Sequence, residues 1–170
     1  MMQDVFRIID KISPRQVVYA HCDIPCGIYD PHAAQMGAHT VLRMTKLIEE
    51  MSNEDLPAQA GMSDESKKAQ LVRMVKVKEE HAELVKHEVT IIWGDYFKEE
   101  NSKDIPDLHV KVWNILKLAS KAKQSVDEKV AQDLLASVQE FAEIFWKSKG
   151  VEPVRIPSGY PTEGEVVSHK

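Results

Sequence analysis

The sequence predicts an all-α protein built as a four-helix bundle, and three observations carry that reading. From Pro31 onward the apolar residues recur at helical spacing nearly everywhere. No stretch of period-two alternation bounded by turn residues competes with them. The chain has 170 residues, 43% hydrophobic and 29% charged, enough to bury one core and too few for two large domains.

The first helix is announced by Asp30-Pro31, an N-cap followed by proline at the first helical position. Its stripe is Ala34, Ala38, Val41, Thr45 and Ile48, and it ends near Asn53. After a loop holding Pro57 and Gly61, Ser63 or Asp64 opens a long second helix. Its stripe runs Leu71, Val75, Lys78, Ala82, Val85, Val89, Ile92 and Tyr96, and only Lys78 interrupts it. Leu108, Val112, Ile115, Ala119 and Ala122 mark a third helix after Pro106. Val130, Leu134, Val138, Phe141 and Phe145 mark a fourth that stops before Gly150. Four amphipathic helices with short connections form a bundle. Residues 151–170 carry Pro153, Pro157, Pro161, Gly159 and Gly164, and they are expected to be a flexible tail without a fold of its own.

Composition excludes several functions. Lys and Arg total 22 against 27 Asp and Glu, so the net charge of −5 offers no excess of cations to a nucleic acid. The longest run free of Asp, Glu, Lys and Arg spans residues 31–42, short of the roughly 20 apolar residues that cross a bilayer. No two glycines stand two positions apart, so the dinucleotide fingerprint cannot be written on this chain. None of the histidines has glutamate three residues before it, which excludes the di-iron pattern of some bundles. His32 and His39, at i and i+7 on the first helix, read as solvated helix residues. Met36, Met44, Met51 and Met74 read as core fillers on the helical stripes. Lys67, Lys68, Arg73, Lys76 and Lys78, alternating with Glu79, Glu80 and Glu83, read as a charged solvent face.

The chemistry is concentrated just before the first helix. The segment His21-Cys22-Asp23-Ile24-Pro25-Cys26-Gly27-Ile28-Tyr29-Asp30-Pro31 holds both cysteines, a histidine, two prolines and a glycine. Pro25 and Gly27 keep it out of a regular helix, so the two sulfurs can meet only through a turn, a hook in shape.

This segment resembles the nickel hook of nickel-containing superoxide dismutases. The stretches Ala82-Glu83-Leu84-Val85-Lys86-His87 and Trp93-Gly94-Asp95-Tyr96-Phe97-Lys98 resemble that family's long second helix, and Phe145-Trp146 matches the end of its fourth. The resemblance implies a four-helix-bundle subunit with an N-terminal metal-binding hook, one nickel ion per subunit, assembly as a homohexamer, and superoxide as substrate. It implies nickel ligands at His21, through its amine and, in the oxidised state, its imidazole, at Cys22, through amide nitrogen and thiolate, and at Cys26. Two thiolates and two nitrogens suit a square-planar nickel(II) or copper(II) ion better than tetrahedral zinc. Their anionic donation lowers a potential that in aqueous nickel lies too high for the superoxide couples.

The family also implies a cis Ile24–Pro25 bond, Tyr29 and Tyr96 flanking the open axial face, and Asp23 holding the loop. An amine at His21 exists only once the Ala20–His21 bond is cut. Residues 1–20 are therefore expected to be a propeptide removed by a maturation peptidase, leaving a hook-and-bundle domain over 21–150. Cutting removes three basic and two acidic residues, so the mature chain is one unit more negative. Without a secretory signal pattern and with free thiols, the protein is expected in the cytoplasm, with no nucleic-acid or membrane partner. The sequence departs from the family where a glutamate of helix one and an arginine of helix two support the hook imidazole, because Gly37 and His81 stand there. The alternative function is a non-enzymatic bundle that binds nickel or zinc through the same thiolates.

Overall fold

The computed structural model describes residues 27–52 and 61–170. Its helices are α1 (His32–Ser52), α2 (Asp64–Ile91), which continues as a widened π-helical turn over Ile92–Tyr96, α3 (Glu99–Asp104), α4 (Leu108–Gln124) and α5 (Glu128–Ser148), followed by strands β1 (Pro153–Pro157) and β2 (Glu165–His169). The four long helices are those the periodicity predicts. The short α3, between the second and third of them, is an addition.

The ends form as the sequence indicates. Asp30 Oδ1 accepts from the His32 amide at 2.7 Å, so α1 starts under an aspartate cap. Ser63 caps α2 through the Ser66 amide, and Asp127 caps α5 through the Val130 amide. Inside, Ala34, Ala38 and Val41 of α1 meet Ala82, Val85 and Val89 of α2, Val112, Ile115 and Ala119 of α4, and Leu134, Val138, Phe141 and Phe145 of α5. Each fully buried Val or Leu side chain stabilises the bundle by about 1.5–3 kcal/mol.

Four expectations are corrected. Residues 151–170 are not a tail without a fold: β1 and β2 pair antiparallel, Pro153 opposite His169 and Pro157 opposite Glu165, and the hairpin lies on α1 and α5. Two short strands with prolines at both ends of β1 cannot hold on their own. Here the bundle supplies the missing partners. Val166 and Val167 are buried. The fully buried Gln35 side chain donates to the Val167 carbonyl at 2.9 Å and accepts from its amide at 2.6 Å, extending the strand's hydrogen bonding onto α1. From α5, Gln139 donates to the Glu165 carbonyl at 2.6 Å, and Glu143 accepts from Arg155.

His39 is the second correction: it is not solvated but 3% exposed, held between the Thr162 hydroxyl at 2.8 Å and the Glu165 carbonyl at 3.1 Å. A carbonyl only accepts, so Nε2 carries the proton toward Glu165. Burial pushes the His39 pKa below its ordinary 6.5, opposed by the bond to Glu165. The unfolded chain therefore takes up the proton first as pH falls. His39 contributes stability that is present above its unfolded pKa and lost on acidification through the lowered folded value. Urea unfolding at about pH 7 and about pH 5.5 is expected to show a loss in the wild type that H39Q does not share.

Third, Lys78 does not belong to the solvent face, since it is 2% exposed. Fourth, the methionines are not uniformly core: Met74 is buried, whereas Met36 is 47% exposed and lines a cleft of about 250 Å³ between α1 and the hairpin.

Candidate metal centre

The described residues include the end of the hook segment, from Gly27 onward. Gly27 has φ +73°, a left-handed conformation that residues with a side chain rarely adopt, and the space around its missing Cβ is open. The glycine is therefore required by the backbone turn and not by crowding. Ile28 follows at 75% exposure, and Tyr29 turns inward to rest on the bundle.

Tyr29 lands on Tyr96, with ring centroids 5.6 Å apart and planes inclined at 55°. Tyr96 closes the π-helical turn after α2 and packs on Phe145 of α5 at 4.8 Å and on Phe97 at 5.1 Å. Its hydroxyl lies 3.0 Å from Ser148 Oγ. Ser148 spends its single hydroxyl proton on the Phe145 carbonyl at 2.7 Å, so Tyr96 is the donor between them. That bond fixes the phenol and leaves lone pairs on its oxygen for a water or substrate. Beside the pair, Lys149 extends its ammonium over the rings of Phe145, Tyr96 and Trp146 at 4.7, 5.6 and 5.7 Å and donates to the Tyr29 carbonyl at 3.4 Å.

The structure thus brings together Tyr29 and Tyr96, two of the residues singled out from the sequence. His21, Cys22, Asp23 and Cys26, and the expected cis Ile24–Pro25 bond, lie outside the described residues. Among the described residues no group of three His, Cys, Asp or Glu side chains could hold a metal ion. The donor chemistry of residues 21–26, two thiols and a histidine, fits nickel.

Gly37 and His81 face each other where α1 crosses α2. A Cβ on Gly37 would stand 3.0 Å from Val85 Cγ2 and 3.2 Å from the His81 carbonyl oxygen, so the glycine permits this close approach. The His81 imidazole turns back onto its own helix, Nδ1 donating to the Val77 carbonyl at 2.8 Å. Sequence reasoning missed Ser148 and Lys149, because polar residues in the last turn of a helix carry no signal beyond capping.

The chain matches the model for nickel-containing superoxide dismutase over residues 16–149. It is 37% identical over 139 residues to the nickel superoxide dismutase of Streptomyces seoulensis, covering 81% of this chain and 94% of that one. It is 37% identical over 137 residues to that of Streptomyces coelicolor, with the same coverage. Among solved structures, native nickel superoxide dismutase superposes with a TM-score of 0.61 at 36% identity, covering 76% of this chain and 99% of the other. A structure with nickel ligation of the oxidised state gives 0.62 at 33%, with the same coverage. The hairpin lies beyond the matched segment. With the hook sequence, the tyrosine pair and the bundle all within that match, this chain belongs to the nickel-containing superoxide dismutase family.

Proposed function

We propose that residues 21–26 of this chain form the nickel site of a superoxide dismutase once the Ala20–His21 bond is cut. The protein is a superoxide dismutase with nickel as its cofactor. One superoxide loses an electron to give dioxygen, and a second gains an electron and two protons to give hydrogen peroxide. Nickel bound there would supply the one-electron exchange, through its divalent and trivalent states. The amine and imidazole of His21, the amide nitrogen and thiolate of Cys22 and the thiolate of Cys26 would hold it, and Asp23 would steady the loop. Tyr29 and Tyr96 narrow the approach and order water, with the Tyr96 proton committed to Ser148.

The observation that carries this reading is the Tyr29–Tyr96 contact, which seats the end of the hook segment on the bundle inside the family match. Residues 1–20 are a propeptide removed by a maturation peptidase, residues 21–150 are the catalytic domain, the mature subunits assemble as a homohexamer, and the protein works in the cytoplasm. Nickel titration of protein beginning at His21, followed by superoxide decay, tests the site. One nickel per subunit with decay far above that of the free ion is expected. Nickel or zinc bound without any decay would return the protein to a metal-carrier role.

A further inference from the structure

Lys149 touches both Tyr29, on the chain leaving the hook, and the aromatic cluster beneath it. Its backbone ends α5, its amide donating to the carbonyls of Phe145 and Trp146, so its Cα is fixed by the helix. Its ammonium lies over three ring faces and bonds the Tyr29 carbonyl, as described above. Among the described residues no carboxylate pairs with it, although this chain pairs many of its other lysines with Asp or Glu. The difference matters for the charge. A carboxylate partner cancels the field of an ammonium, whereas a ring quadrupole holds a cation and leaves its unit charge in place.

The substrate is an anion, and the chain carries −5 overall and one negative unit more once residues 1–20 are removed, so at long range superoxide is repelled. A cation that no described carboxylate pairs, beside the tyrosine pair, would supply the local positive potential that net charge does not. We propose that Lys149 is a positioning residue that draws superoxide to the Tyr29–Tyr96 pair. The inference rests on the dismutase reading above.

The test uses nickel-loaded protein beginning at His21 and measures kcat/KM by pulse radiolysis from about 0.01 M to about 0.1 M salt, over which the screening length falls from about 30 to about 10 Å. K149Q is expected to lower kcat/KM about threefold at low salt and to flatten its salt dependence, as removing one charge a few ångströms from an anion's path in water should. K149R is expected to restore both. K147Q makes the same change of net charge on a neighbouring exposed lysine and is expected to do less. The nickel(III) electron paramagnetic resonance spectrum of K149Q is expected to match wild type, because the role is electrostatic. Wild-type rate and salt slope in K149Q would overturn the proposal, as would an equal loss in K147Q. A loss at all salt concentrations that K149R does not restore, with an altered spectrum, would also overturn it and make Lys149 a mechanical prop. A wild-type protein that binds nickel and shows no decay in any variant would remove the dismutase reading itself, and this proposal with it.

Discussion

Nickel-loaded protein beginning at His21 is expected to dismutate superoxide, and the same chain retaining residues 1–20 is expected to be slower by more than about 100-fold. The expectation follows from the nitrogen of His21. Joined to Ala20 it is an amide, its lone pair delocalised into the carbonyl, and it has no basic pair to offer a metal. Cut free, it is an amine adjacent to the amide of Cys22, so amine and amide nitrogens close one five-membered chelate ring and the amide and its own thiolate close the next. Loss of groups that merely support a ligand already costs about 10–100-fold in affinity or activity, and loss of a ligand should exceed that. The two forms are compared side by side for nickel content and superoxide decay. Full activity with an intact Ala20–His21 bond, verified by mass spectrometry, would sink the terminal-amine ligand and the propeptide together.

The second large effect is on stability. Lys78 reaches from α2 to the C-terminal end of α4, where its Nζ donates to the carbonyls of Ala122 at 2.6 Å, Lys123 at 3.3 Å and Ser125 at 2.5 Å. The last carbonyls of a helix have no partner within it and form the negative end of its dipole, so a buried ammonium there meets both needs. K78A leaves a cavity and carbonyls without donors, and is expected to cost about 3–5 kcal/mol in urea unfolding. K78M fills the space without donating, and is expected to cost about 1–3 kcal/mol. A cost below about 1 kcal/mol for K78A would show that water caps the helix equally well.

The pH dependence gives a second check. Burial lowers the Lys78 pKa from its ordinary 10.5, with Glu79 opposing. The unfolded chain therefore binds the proton more tightly, and between the lowered folded value and 10.5 wild-type stability should rise with pH relative to K78M.

Lys78 also shows what the sequence could and could not say. As a charge in an apolar stripe it marks itself as unusual, but its three acceptors lie on another helix, more than forty residues on. The helices were legible because their signals are local: the Asp30 cap, the Pro106 boundary, the spacing from Leu108 to Ala122. The hairpin was not, because its stability is borrowed. Pro153, Pro157 and two glycines suggest an unfolded tail until Gln35 and Gln139 are known to reach its backbone. His39 misled for the same reason, since what buries it comes from residues 160–165. At the site, the hook motif was legible by its density of special residues, and the pairing of Tyr29 with Tyr96 came with the family resemblance. Ser148 and Lys149 were invisible, being ordinary residues given meaning by the turn of α5 that faces Tyr96.

The bond between Gln35 and Val167 spans 132 positions of sequence. A ribosome makes α1 before the hairpin, so at about 5–20 residues per second α1 waits roughly 7–26 s for the strand that completes its seat. Throughout that interval the nascent chain presents Ala20–His21 ahead of a helix that is not yet locked. A peptidase acting during translation would meet a different substrate from one acting after release.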